Sequence, residues 1–134
     1  SMKIKEVTYN NEIISEIFSL DEIPEGLTFL SQDERFIQFG TWNYKKGQLL
    51  DAHFHNTFDR TSNITQEIVI VLKGSLSCKL YNKNKDLIDE LIVRENQFIV
   101  QYSLVHEYMV IEDSIVLEVK NGPYFGPDKD RTRV

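Results

Sequence analysis

The chain contains one cysteine, Cys78, so no disulfide can form within it. Basic residues are also few: 15 Lys and Arg stand against 21 Asp and Glu, for a formal net charge of -6. This charge would repel a phosphate backbone, and no basic cluster is interleaved with aromatic residues, so nucleic acid is not an expected partner. The longest apolar run, residues 68–72, is far shorter than the roughly 20 residues that cross a bilayer. Because the start also lacks a signal-peptide pattern, we expect a cytoplasmic protein with no membrane partner.

The length of 134 residues allows one hydrophobic core and is too short for two. Ser1 directly before Met2 is typical of a remnant of tag removal, so the predicted single domain is residues 2–134. Cys78 lies at an apolar position of an alternating segment, and no His or Asn is close in sequence to activate it. We therefore predict a small buried side chain and not a nucleophile.

Two-residue alternation of apolar and polar side chains dominates the chain and predicts an all-β fold. The predicted strands are residues 35–44, 67–72, 75–81, 87–93, 98–102 and 115–119. Residues 67–72 and 75–81 flank Lys73-Gly74 and are predicted to form a hairpin. Residues 11–20 fit either a helix or an edge strand. Short strands at this spacing favour closure into a jelly-roll barrel.

Two of the three histidines, His53 and His55, are separated by one residue. On a strand this spacing directs both imidazoles to one face, where they are close enough to share an ion. Gly47 precedes the pair, and Glu67 and Gly74 follow it. This arrangement resembles the first motif of the cupin superfamily, which implies a double-stranded β-helix, or jelly-roll barrel. The chain departs from the motif by placing eleven residues between His55 and Glu67, where the family usually has three or four.

The second cupin motif is matched only at His106. The motif's other positions are occupied by residues that it does not specify: Glu95, Gln101, Ser103 and Val110. All three histidines of the chain therefore fall where the resemblance places metal ligands.

The resemblance implies a ligand set of His53, His55, Glu67 and His106 for one divalent metal ion, which could be Fe, Mn, Ni, Zn or Co. Two alternatives stay open. If Glu67 is not a ligand, it is an exposed carboxylate at the start of a strand. If His106 is not a ligand, it is a buried neutral imidazole.

From Ile23 onward the chain is similar to small cupins associated with polysaccharide and nucleotide-sugar genes. The similarity implies a metal-dependent enzyme of carbohydrate biosynthesis that acts on a small polar molecule such as a carbohydrate or nucleotide sugar. Arg60 is a candidate substrate-binding residue, because its planar guanidinium can clamp a carboxylate or phosphate.

One alternative is a metal-independent sugar isomerase or epimerase with His53 or His55 as general base and Tyr102 or Tyr108 as acid. Another is a cupin that binds a small ligand without turnover. A homodimer is expected because the β-rich residues 2–9 need a sheet edge with which to pair.

Overall fold

A computed structural model of the protein describes residues 2–134 and confirms the all-β class. Within these residues there are ten strands and one short helix. They are β1 (Lys3–Tyr9), β2 (Glu12–Ser19), β3 (Gly26–Phe29), β4 (Gly40–Asn43), β5 (Glu67–Lys73), β6 (Ser75–Tyr81), β7 (Leu87–Arg94), β8 (Gln97–Gln101), β9 (Val105–Val110), β10 (Ile115–Lys120) and α1 (Pro127–Asp130). No helix in this part of the chain is long and apolar enough to cross a membrane.

The strands form three separate antiparallel sheets. The largest has the order β1-β2-β8-β5-β10, the second has the order β7-β6-β9, and β3 pairs with β4. The sheets of residues 2–134 do not close into a barrel, so the predicted cupin jelly roll is not confirmed.

The main core lies between the five-stranded and the three-stranded sheet. Alternate residues of each strand point into it, as the period of two requires. Val71, Cys78, Val93 and Ile99 are completely buried there. Burial of Cys78 confirms its predicted structural role.

A second core covers the opposite face of the five-stranded sheet. Phe98 and Val100 of β8 point toward it because they alternate with Ile99. Phe18 stacks on Phe98 with ring centroids 5.1 Å apart, and Phe39 meets Phe98 edge-on at 5.7 Å. The segment between β2 and β4 therefore closes this outer face.

The predicted hairpin of β5 and β6 is wrong, because the two strands belong to different sheets. β5 pairs with β8 and β10, whereas β6 pairs with β7 and β9. Gly74 turns the chain between the sheets with a φ of +91°. A Cβ at Gly74 would lie 2.2 Å from Ser114 Oγ, so this corner packs tightly against the turn before β10.

Two other segments differ from, or refine, the prediction. Residues 11–20 contain strand β2, which lies between β1 and β8, so they form neither a helix nor an edge. Residues 35–39 are not a strand, because their amides bond to side chains. Ile37 N donates to Gln66 Oε1 at 3.0 Å, and Phe39 N donates to Ser31 Oγ at 2.9 Å.

Candidate functional site

Polar side chains occupy one end of the main core. Glu67, the first residue of β5, is paired in register with Gln101, the last residue of β8. Each lies two residues from an inward-pointing position, Val69 and Ile99, so both point between the two large sheets. Glu67 is 8% exposed, which excludes the alternative of an exposed strand-opening carboxylate.

The facing sheet contributes His106 and Tyr108. Both are on β9, in register with the inward-pointing Leu80 and Cys78 of β6, and therefore face the same space. His106 Nε2 lies 2.6 Å from Glu67 Oε1. The His106 side chain is 36% exposed, so the imidazole lies at the mouth of the space and is not a buried core residue.

Gln101 connects the two sheets. Its amide nitrogen donates to Tyr108 Oη at 3.0 Å and to Cys78 Sγ at 3.4 Å. These bonds fix the orientation of the amide, so that Gln101 Oε1 is the atom left available. The motif comparison treated Gln101 only as a departure from the family. Its place two residues after the apolar Ile99 was the signal that it faces inward.

Burial and neighbouring charges shift the pKa of three groups at the site. Burial raises the pKa of Glu67, but the contact with His106 and the charge of Lys120 outweigh burial, so the pKa of Glu67 lies below its usual value. Burial raises the pKa of Tyr108 well above its usual value, so the phenol stays protonated at neutral pH. Burial likewise raises the pKa of Cys78 to about 12, which excludes a thiolate nucleophile.

Two acceptor oxygens at this site are buried without a hydrogen-bond donor from residues 2–134. They are Glu67 Oε1 and Gln101 Oε1. Glu67 Oε1 nevertheless lies 2.6 Å from His106 Nε2, so the imidazole is a close polar neighbour of this oxygen. Buried acceptors are usually satisfied, so each of these oxygens has the capacity to bind a water molecule or a cation. A carboxylate and an imidazole are also donors that suit a first-row divalent ion.

The other two predicted ligands lie elsewhere. His53 and His55 are exposed, in a segment without strands, with ring centroids 5.3 Å apart. His53 Nδ1 lies 2.9 Å from the carbonyl oxygen of Asp51. Nowhere in residues 2–134 do three or more His, Cys, Asp or Glu side chains converge as a metal site. Within residues 2–134 of a single chain, Glu67 and His106 therefore lie close together, whereas His53 and His55 lie apart from them.

The remaining predicted residues are also separate from Glu67 and His106. Arg60 belongs to the exposed segment, where its guanidinium lies 3.7 Å from the centroid of the Phe58 ring. Tyr102 is packed in the outer core, and its hydroxyl donates to Glu16 Oε1 at 2.5 Å. Of the two tyrosines predicted as acids, only Tyr108 shares a face with His106.

A cleft of about 480 Å³ opens on the outer side of the five-stranded sheet. Arg35 and Gln66 line it, and both already bond to backbone groups of the chain. These two side chains are thus engaged in holding the fold, and we place the candidate site at Glu67 and His106 instead.

Comparison of the chain with protein-family models, curated proteins and solved structures gives no match. The residues and geometry of the site are therefore the basis for assigning a function.

Proposed function

We propose that the protein is a small cupin-type metalloenzyme that uses a divalent metal ion on a small polar molecule such as a carbohydrate or nucleotide sugar. The observation that carries this proposal is the buried Glu67 carboxylate in contact with His106, beside Gln101 Oε1, a buried acceptor that has no donor from residues 2–134. In the proposal Glu67 and His106 are two ligands, and His53 and His55 complete the set.

The path of the chain supports the cupin assignment. From β5 onward the chain passes to β6 and β7 in one sheet, back to β8, across to β9 and back to β10. An alternation of this kind between two facing antiparallel sheets is expected for a double-stranded β-helix, and it supports the proposal. A strand formed by residues around His53 would extend the three-stranded sheet at β9.

The residues around the ligands have separate tasks. A bound metal would polarise a carbonyl or hydroxyl group of the ligand molecule. Tyr108 Oη accepts a hydrogen bond from Gln101, which leaves its own O–H available to donate. The protonated phenol can therefore position a substrate oxygen or supply a proton to it.

Elemental analysis of the purified protein tests the proposal. We expect about one equivalent of a first-row metal in the wild type after exposure to Co²⁺ and removal of excess ion. Glu67→Gln and His106→Ala should each lose most of it. Tyr102→Phe is the matched control, because it changes a buried residue of the outer core, and it should retain the metal. Wild-type protein that binds no first-row ion at neutral pH, while circular dichroism shows it folded, overturns the proposal.

The contact between Glu67 and His106 also favours a second candidate function, metal-free proton transfer. A carboxylate beside an imidazole is an arrangement that orients a general base, and Tyr108 would be the acid. The test is incorporation of deuterium from D₂O next to the carbonyl group in a panel of nucleoside diphosphate keto-sugars. Exchange that survives exhaustive chelation and disappears in His106→Ala supports this function. Exchange that disappears with the metal excludes it.

A further inference from the structure

Residues 45–63 form an exposed segment, here called the arm, that leaves the body of the protein after β4 and returns before β5. Every residue of the arm is exposed. Its large apolar side chains are among them: Leu49 is 74%, Phe54 84% and Phe58 57% exposed. None of its residues forms a hydrogen bond or ion pair with a described strand. The arm therefore has apolar groups to bury and no partner in its own chain.

Two strand edges beside the candidate site are also uncovered. Among the described strands, β9 pairs only with β6, and β10 pairs only with β5. Apolar side chains stand exposed on both, including Met109 at 69%, Val110 at 59% and Leu117 at 50%. Open edges with exposed apolar residues are surfaces that add another strand. Because His106 is on β9, a strand added to the edge of β9 would lie next to the site.

The arm has the side-chain pattern that this edge requires. If residues 49–55 are extended, Leu50, Ala52 and Phe54 share one face. His53 and His55 then share the other face and can point toward His106. One added strand would thus cover apolar surface and complete the set of metal ligands.

The arm makes no hydrogen bond or ion pair with a described strand of its own chain, which favours docking on a second copy. Its charge and length suit that docking. The arm carries three basic and two acidic residues, so its charge is +1 and that of the remaining chain is -7. The uncovered edges and the turn between them carry acidic side chains, namely Glu107, Glu112, Asp113 and Glu118. Folded back on itself, the arm reaches about 30 Å from its roots. This exceeds the radius of gyration of about 14 Å expected for a domain of this size, so it can cross a neighbouring molecule.

We propose that two copies of this chain exchange their arms, so that each metal site combines Glu67 and His106 of one copy with His53 and His55 of the other. Two-fold symmetry makes the exchange reciprocal and buries both arms. The inference rests on the proposed function for the identity of the ligands. The exchange itself rests on the exposed arm and the open edges.

Complementation between two inactive variants tests the exchange. The arm variant is His53→Ala with His55→Ala, and the body variant is Glu67→Gln with His106→Ala. Co-expression with different tags and purification on both tags isolates mixed dimers. With exchanged arms, one of the two sites in each mixed dimer has all its ligands, so roughly one Co²⁺ per dimer binds. With arms docked on their own chains, every site lacks half of its ligands and none binds.

The outcomes distinguish the two proposals. Wild-type protein that binds metal, with mixed dimers that do not, overturns the exchange and leaves the proposed function intact. Wild-type protein that binds no metal overturns the proposed function, and the exchange is then judged by hydrogen exchange. In that case Phe54→Asp should convert a dimer to a monomer and expose the amides of residues 105–110. Leu87→Asp, at a leucine of β7 that is 57% exposed, should do neither. A wild-type monomer at all concentrations overturns the exchange.

Discussion

Two glycines of the motif that surrounds the histidine pair have the same backbone conformation in different surroundings. Gly47 has a φ of +94° and Gly74 a φ of +91°. A Cβ on Gly47 would meet nothing within 4 Å. A Cβ on Gly74 would lie 2.2 Å from Ser114 Oγ and 2.5 Å from Asp113 O. Substituting each by alanine therefore imposes the same backbone strain, and only Gly74→Ala adds a steric clash.

The structure sets the size of the effect. An L-residue in the left-handed region costs about 1–2 kcal/mol, which is the whole expected cost of Gly47→Ala. At Gly74 the turn before β10 must also move. Ser114 Oγ accepts a hydrogen bond from Ser75 N at 3.1 Å and lies 2.7 Å from Glu112 O. Losing these bonds and overpacking the corner adds about 2–3 kcal/mol, so Gly74→Ala should destabilise the fold by about 3–5 kcal/mol.

Urea and thermal denaturation followed by circular dichroism measure the difference. For a chain of this length, 1 kcal/mol corresponds to about 3–4 °C in Tm. We expect Tm to fall by about 10–18 °C in Gly74→Ala and by about 5 °C in Gly47→Ala. If the two variants differ by less than about 1 kcal/mol, the corner at Gly74 is not tightly packed, and the reasoning is refuted.

Three further predictions concern buried groups. Because burial raises the pKa of Cys78 to about 12, only about 10⁻⁴ of the thiol is ionised at pH 8, and it should react with a disulfide reagent only after unfolding; rapid labelling of native protein would contradict this. Tyr102→Phe removes the hydroxyl that donates to Glu16 and should lower the free energy of unfolding in urea by about 1–3 kcal/mol. The metal content should not change. Loss of metal would place Tyr102 at the site. Leu80→Ala should lower the free energy of unfolding by about 2–5 kcal/mol, because Leu80 is 1% exposed. Leu87→Ala, at an exposed leucine, should lower it by less than about 0.5 kcal/mol. Equal losses of unfolding free energy in urea would contradict the position of the core.

The candidate site was only partly predictable. The resemblance to a cupin motif named Glu67 and His106, which the structure brings to within 2.6 Å. Proximity to His106 in the sequence named Tyr102 and Tyr108 with equal reason, since they lie on either side of it. Their separation follows from the strands that carry them: Tyr102 follows β8 on the outer face, whereas Tyr108 is on β9 and faces inward. Gln101 was missed because a motif comparison does not show which side chains face each other across two sheets.

The sequence by itself determined the all-β class, most strand positions and the burial of Cys78, because alternation of side chains along a strand is a local property of the chain. Only the tertiary structure decided which strands pair. It placed β5 and β6 in different sheets although they are adjacent in sequence, and it placed β2 inside a sheet. It also left the arm, with His53 and His55, apart from Glu67 and His106. Pairing depends on contacts between residues distant in sequence, and the packing of whole sheets selects those contacts.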